Sequence, residues 1–250
     1  METETNAQEF IFGIHPIMEM IEAGKEIDKV IIQKELKGEN LSELARLCNH
    51  YKIPVIRVPI EKMNRITRKN HQGVIAFISA VSYASLENII SSAYDEGKNP
   101  FILILDRITD VRNLGAIVRT AECVGIDAIV IPDKNTARLG GDAFKTSAGA
   151  LSRVPICRER NLKGTITYLK NSGLQVVGCT EKASKLIYDI DYDMPLAIVM
   201  GSEEDGISPE CLSLCNERVK VPMFGKIASL NVSVATGLVL YEAVRKKNIF

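Results

Sequence analysis

The chain has no net charge to spend: its 31 lysines and arginines are matched by 31 aspartates and glutamates. No global field therefore draws it to polyanions or membranes, and any nucleic-acid contact has to come from local basic patches. It lacks an apolar run of the roughly 18 residues that a membrane span needs. Its acidic, polar start, METETNAQEF, reads as neither a signal nor a transit peptide. No C-x-x-C pair occurs among the six cysteines, and Cys211 and Cys215 stand one helical turn apart with no second pair to complete a zinc site. The three histidines, His15, His50 and His71, are scattered and supply no ligand cluster. No metal is expected, and the thiols read as small buried side chains in a reducing cytosol. Also missing are a G-x-G-x-x-G turn, a phosphate-binding G-x-x-x-x-G-K-[ST] loop and a G-x-S-x-G elbow. The ordinary dinucleotide, nucleotide and serine-hydrolase sites thus lack support.

What is present divides in two. At about 150 residues per domain, 250 residues make one or two domains. Residues 8–82 alternate short helix and strand patterns: a helical spacing at Ile17, Met20 and Ile21, a β-branched run at 29–32, a second helix at 41–50, then strands at 53–60 and 73–81. Residues 83–99, rich in Ser, Asn and Gly, read as a linker helix. From residue 100 to 250 near-continuous apolar runs dominate, at 101–106, 126–133, 174–180, 195–203 and 218–223. Unalternated β-branched runs separated by helices predict an α/β domain with a parallel sheet covered on both faces. A last helix, 231–247, carries Val234, Leu238, Tyr241 and Val244 on one face, which is expected to dock on that sheet.

Ligands of open parallel sheets bind past the carboxyl ends of the strands. After the first run comes a helix that Asn113 can cap, with Arg112 and Arg119 on one face suited to phosphate or carboxylate. After the fourth comes GSEEDGIS, whose carboxylates suit a cationic or hydrogen-bonding ligand better than a phosphate. After the fifth comes PMFGKIASLNVSVATG, small and polar residues ahead of the last helix.

These three loops resemble the SpoU/TrmH family of SPOUT-type RNA 2′-O-ribose methyltransferases. NLGAIVRT (113–120) has the form N-x-G-x-x-x-R-[ST], GSEEDGIS (201–208) that of the family's glycine–glutamate loop, and PMFGKIASLNVSVA (222–235) that of its third motif. FGIHPIMEMI and HQGVIA are similar to the family's small substrate-binding extension, of the ribosomal protein L30e fold. The combination most resembles bacterial 23S rRNA guanosine-2′-O-methyltransferases. A tRNA 2′-O-methyltransferase and a non-catalytic RNA-binding paralogue are the alternatives, with a small-molecule nucleotide-cofactor enzyme further off. The resemblance implies a trefoil knot in the second domain, a cytoplasmic homodimer, and S-adenosylmethionine as methyl donor. It implies a catalytic set of Arg119, Asn113, Glu203, Ser229 and Asn231, and donor binding at Gly201, Val221 and Leu230. The family usually has a small residue where Glu204 stands, and the extra carboxylate here either favours a cationic sulfonium or points to solvent.

With a reference pKa of about 12.5–13.8, roughly one free arginine in 10⁵ to 10⁷ is neutral at pH 7. Arg119 is therefore expected to clamp a phosphate and stabilise a developing alkoxide, not to act as a base. RNA contacts are expected at Arg112, at Arg57, Lys62, Arg65 and Arg68 in a stretch with one acid, and at Lys145 and Arg153 in the basic segment 134–163.

Overall fold

The computed structural model describes residues 10–227 and 229–247. The acidic start, the first two residues of the 8–82 unit, and Ala228 of the third motif lie outside them. The chain divides into two compact units between Ser82 and Tyr83.

The first unit runs β1 (Phe10–Phe12), α1 (Ile14–Glu22), β2 (Ile27–Gln33), α2 (Glu39–His50), β3 (Val55–Val58), α3 (Ile60–Asn64) and β4 (Val74–Ile78). Its sheet order is β1-β4-β2-β3, with β4 antiparallel to both neighbours and β2 parallel to β3. The alternation of side chains along β2 and β4 sorts two cores. Val30, Ile32, Val74 and Ala76 meet Ile17 and Ile21 of α1 and Leu41, Leu44 and Cys48 of α2 on one face. Ile31, Ile75 and Phe77 meet Met63 of α3 on the other. Buried His71 closes the turn into β4: its Nδ1 accepts the Gly73 amide at 3.0 Å, so Nε2 carries the proton and donates to Asn64 Oδ1 at 3.1 Å. Gly73, at φ 74°, is in a conformation that glycine adopts without a Cβ clash.

The second unit runs α4 (Leu86–Asp95), β5 (Phe101–Asp106), α5 (Val111–Cys123), β6 (Ala128–Pro132), α6 (Gly141–Thr146), β7 (Ile156–Glu159), α7 (Leu162–Asn171), β8 (Gln175–Cys179), β9 (Lys185–Leu186), β10 (Leu196–Gly201), α8 (Pro209–Leu214), β11 (Glu217–Lys220) and α9 (Val232–Lys246). The strands form a seven-stranded sheet in the order β7-β6-β5-β10-β8-β11-β9, parallel at every pairing. Every residue of the central β5 and β10 is buried, as two-sided coverage requires.

Two expectations change here. The 83–99 segment is not a free-standing linker: Leu86 and Ile90 of α4 sit in the core with Ile102, Ile104 and Val130, and α4 is part of the second unit. Nor does the expected face of α9 dock inward as a whole: of Val234, Leu238, Tyr241 and Val244, only Val244 is buried. Thr236, Val239, Leu240 and Ala243 are buried, and α9 packs against α5. Val234, Leu238 and Tyr241 are left exposed. No helix of the described residues is long and apolar enough to cross a membrane.

Candidate active site

The registers of the central strands set the site. Gly201 at the end of β10 lies opposite Asp106 at the end of β5, so the loops leaving both strands emerge side by side. The helix after β5 is capped by Asp110, whose Oδ1 accepts the amides of Arg112 at 2.7 Å and Asn113 at 2.9 Å. Asn113, expected as the cap, is instead in the first turn, and its side chain is free to reach across to α9.

There it meets Asn231. The Oδ1 of Asn231 caps α9 by accepting the amides of Ser233 at 3.0 Å and Val234 at 3.4 Å. That fixes the amide's orientation, leaving Nδ2 to donate to Asn113 Oδ1 at 2.9 Å and to Glu203 Oε1 at 2.5 Å. Glu203 Oε1 also accepts the Val232 amide at 3.2 Å. Side chains from the first turn of α5, the turn after β10 and the cap of α9 thus form one hydrogen-bonded network.

Glu203 belongs to a tight turn. The Gly206 amide donates to the Ser202 carbonyl at 3.0 Å and the Asp205 amide to Ser202 Oγ at 3.1 Å. This folds the turn so closely on β10 that a Cβ on Gly201 would stand 2.0 Å from the Gly206 carbonyl carbon. Arg107, the residue after β5, reaches this turn with its guanidinium.

Two clefts share the 202–205 wall. One, of about 320 Å³, takes Gly201, Val221, Ser229 and Leu230 into its lining together with Met200 and Thr180. Its lining combines apolar side chains such as Met200, Val221 and Leu230 with the carboxylates of Glu203, Glu204 and Asp205, a match for a ligand with an apolar part and a cationic part. Cys179 also borders it, but burial, and secondarily the charge of Glu181, push its thiol up to about 12. The thiol is therefore protonated at neutral pH and is no nucleophile. The second cleft, of about 620 Å³, is lined by Arg107, Thr109, Asp110, Asn113 and Asn135. Its polar lining suits a solvated, hydroxyl-bearing ligand.

The other predicted residues fall outside the network. Arg119 and Arg112 are exposed on α5, and no hydrogen bond among the described residues joins Arg119 to Asn113, Glu203 or Asn231. Arg57, Lys62, Arg65 and Arg68 are exposed in the first unit, Arg57 donating to the carbonyls of Lys34 and Leu36. Lys145 is exposed on α6, and exposed Arg153 pairs with Glu122 at 3.6 Å. Among the described residues no three His, Cys, Asp or Glu side chains are placed to hold a metal ion. Sequence reasoning missed Arg107, Asp106, Thr109, Asn135 and Thr180. Of these, only Asp106 carried a signal, an acid closing an otherwise apolar strand.

Comparison with known proteins gives a consistent picture. Residues 100–241 match the SpoU rRNA Methylase family, and residues 10–84 match the RNA 2′-O ribose methyltransferase substrate binding family. A Staphylococcus saprophyticus protein provisionally named a TrmH family tRNA/rRNA methyltransferase is 37% identical over 95% of this chain and 96% of its own. Bacillus subtilis YacO, under the same provisional name, is 35% identical over 96% of each. Among solved structures, an AdoMet-bound rRNA methyltransferase from Sinorhizobium meliloti is 26% identical with a TM-score of 0.60, over 94% of this chain and 86% of that one. The A. aeolicus TrmH/SpoU tRNA modifying enzyme is 29% identical with a TM-score of 0.55, over 65% and 84%.

Proposed function

Since the chain belongs to the SpoU rRNA methylase family of RNA methyltransferases, we propose that it methylates a ribose 2′-hydroxyl of RNA, with S-adenosylmethionine as donor and a guanosine of 23S rRNA as target. The observation that carries this reading is the Asn113–Asn231–Glu203 network, whose Glu203 lines both clefts. The 320 Å³ cleft fits the donor, with its apolar side chains for the adenosine and its carboxylates for the sulfonium. Gly201, Val221 and Leu230 would hold it there. The 620 Å³ polar cleft that shares the 202–205 wall would receive the nucleoside. When bound, the donor supplies an electrophilic methyl group and leaves as a neutral thioether.

The chain's residues supply alignment and charge. Holding hydroxyl and methyl in line is worth about 7–11 kcal/mol. The amide of Asn231 and the carboxylate of Glu203 fix the edge where the two clefts meet, and Ser229 lines the donor side. Arg119 clamps the RNA phosphate and stabilises the oxygen as its proton passes to solvent. Its exposure leaves it free for an RNA partner. The basic side chains Arg57, Lys62, Arg65 and Arg68 of the first unit, with Arg112, Lys145 and Arg153, would hold the rest of the RNA. That added unit, matched to a substrate-binding family, favours a large structured RNA over tRNA.

The reading further includes a trefoil knot in the second unit, cytoplasmic location and a homodimer. Support for a second copy comes from Val234, Leu238 and Tyr241 on α9 and from Phe224, 96% exposed, all apolar side chains open to solvent. The test is transfer of labelled methyl to purified 23S rRNA, tRNA and free guanosine, with ribose methylations mapped. A single ribose in 23S rRNA is expected; label in tRNA alone moves the target, and label in neither refutes the proposal. Arg119→Lys with near-full activity and a lowered apparent pKa in its pH–rate profile would show Arg119 to be a base.

A further inference from the structure

The turn that both clefts share is held by a residue that no motif marks and that itself lines the larger cleft. Arg107 sits directly after β5 with φ 63°, in the left-handed region that glycine adopts freely and arginine seldom does. Such a conformation persists in a long side chain only where surrounding contacts demand it. Here they do: Nε donates to Asp106 Oδ1 at 3.2 Å, Nη1 to Asp205 Oδ2 at 3.0 Å, and Nη2 to the Gly206 carbonyl at 3.1 Å. Asp106, 3% exposed, spends its other oxygen on the Ser208 amide at 2.6 Å. The acid that ends β5 and the arginine that follows it therefore grip the 202–206 turn at both its far end and its exit.

The consequence lies two residues earlier in the same turn. Glu203 can reach Asn231 and the Val232 amide only if Ser202 through Gly206 keep their fold on β10. A guanidinium fork suits this task, since its fixed donor geometry meets a carboxylate and a carbonyl together. If Arg107 served the fold alone, glycine would relax the backbone at this φ and the donor cleft, which Arg107 does not line, would be indifferent to the change.

We propose that Arg107 is a positioning residue for the methyl donor: it clamps the 202–206 turn in the shape that presents Glu203 to Asn231 and completes the donor cleft. This rests on the methyltransferase reading. The test compares Arg107→Gly, Arg107→Lys and Asp205→Asn with the parent chain. Three readouts are taken: amide hydrogen exchange over 202–208, S-adenosylmethionine affinity by calorimetry, and KM for the donor against kcat. Arg107→Gly is expected to exchange faster in that segment and to bind the donor about tenfold more weakly, with KM rising more than kcat falls. Arg107→Lys recovers part of the affinity. Asp205→Asn, which removes the charge from one bond of three, loses about threefold and serves where Arg107→Gly does not fold. Donor affinity and exchange equal to the parent in Arg107→Gly, or in Asp205→Asn where that variant stands in, overturn the role. A parent chain that binds no S-adenosylmethionine refutes the methyltransferase reading and this role with it, and is recognised because parent and variants fail alike.

Discussion

Asn231 performs two tasks with one amide, and substitutions can part them. Its oxygen caps the fifteen-residue α9 while its nitrogen holds Asn113 and Glu203. Asn231→Ala removes both, and losing the cap costs about 1 kcal/mol. For a unit of this size that lowers Tm by about 2–4 °C, independent of pH. Asn231→Ser keeps a capping oxygen and deletes the donor, so Tm stays near the parent's while the methylation rate falls about 10- to 100-fold, as for a lost positioning contact. Asn231→Asp keeps the cap and adds about 0.3–1 kcal/mol from a negative charge at a helix N-terminus. It also places that charge against Glu203, at a cost of about 1 kcal/mol for exposed carboxylates 4 Å apart in water. Paired carboxylates keep a proton to higher pH than isolated ones. Where that repulsion exceeds the gain at the helix terminus, Asn231→Asp loses ground relative to the parent as pH rises through the carboxylate range. Calorimetric melting at about pH 4 and about pH 8, with initial rates of methyl transfer, distinguishes the three. An Asn231→Ser protein with the parent's rate would refute the reasoning, because the network would then have no part in organising the site.

Two further outcomes follow from other corners of the second unit. Gly201→Ala should cost about 1–3 kcal/mol or more and abolish donor binding, because its Cβ would meet the Gly206 and Ile207 backbone at 2.0–2.1 Å. Gly206→Ala, with open space at its Cβ but φ 68°, should cost only about 1–2 kcal/mol; equal losses in the two by thermal melting would contradict the steric account. Hydrogen bonds from Arg245 at 2.7 and 2.8 Å hold the largely buried Glu242 below the ordinary carboxylate range. With the folded pKa depressed, that stability is complete above the unfolded carboxylate range and is lost as pH falls through the folded value. Urea midpoints between about pH 7 and about pH 3 should therefore fall less steeply for Glu242→Gln than for the parent.

The sheet was legible because its central strands are buried on both faces, which writes them as uninterrupted apolar runs. The expected 101–106 run is β5 itself, and the 195–203 run contains β10. β7, ICRE, and the two-residue β9 were not, since edge strands this short carry charge and leave no periodic signature. The face of α9 was misread for a related reason: apolar residues surround it, so spacing alone marks two stripes and cannot tell which one α5 covers. The meeting of Asn113, Glu203 and Asn231 was legible only through motif resemblance. Arg107 was not legible at all, because its role depends on a backbone conformation that its residue type does not advertise.

Asn231 lies 118 residues after Asn113 and 28 after Glu203, beyond the last strand of the sheet. On a translating ribosome, therefore, a nascent polypeptide can assemble its parallel strands and still lack the last member of this hydrogen-bonded network. In such a fragment Glu203 and Asn113 lack the amide that joins them. The joining amide is thus made after every strand of the sheet, and the network closes only once α9 is in place.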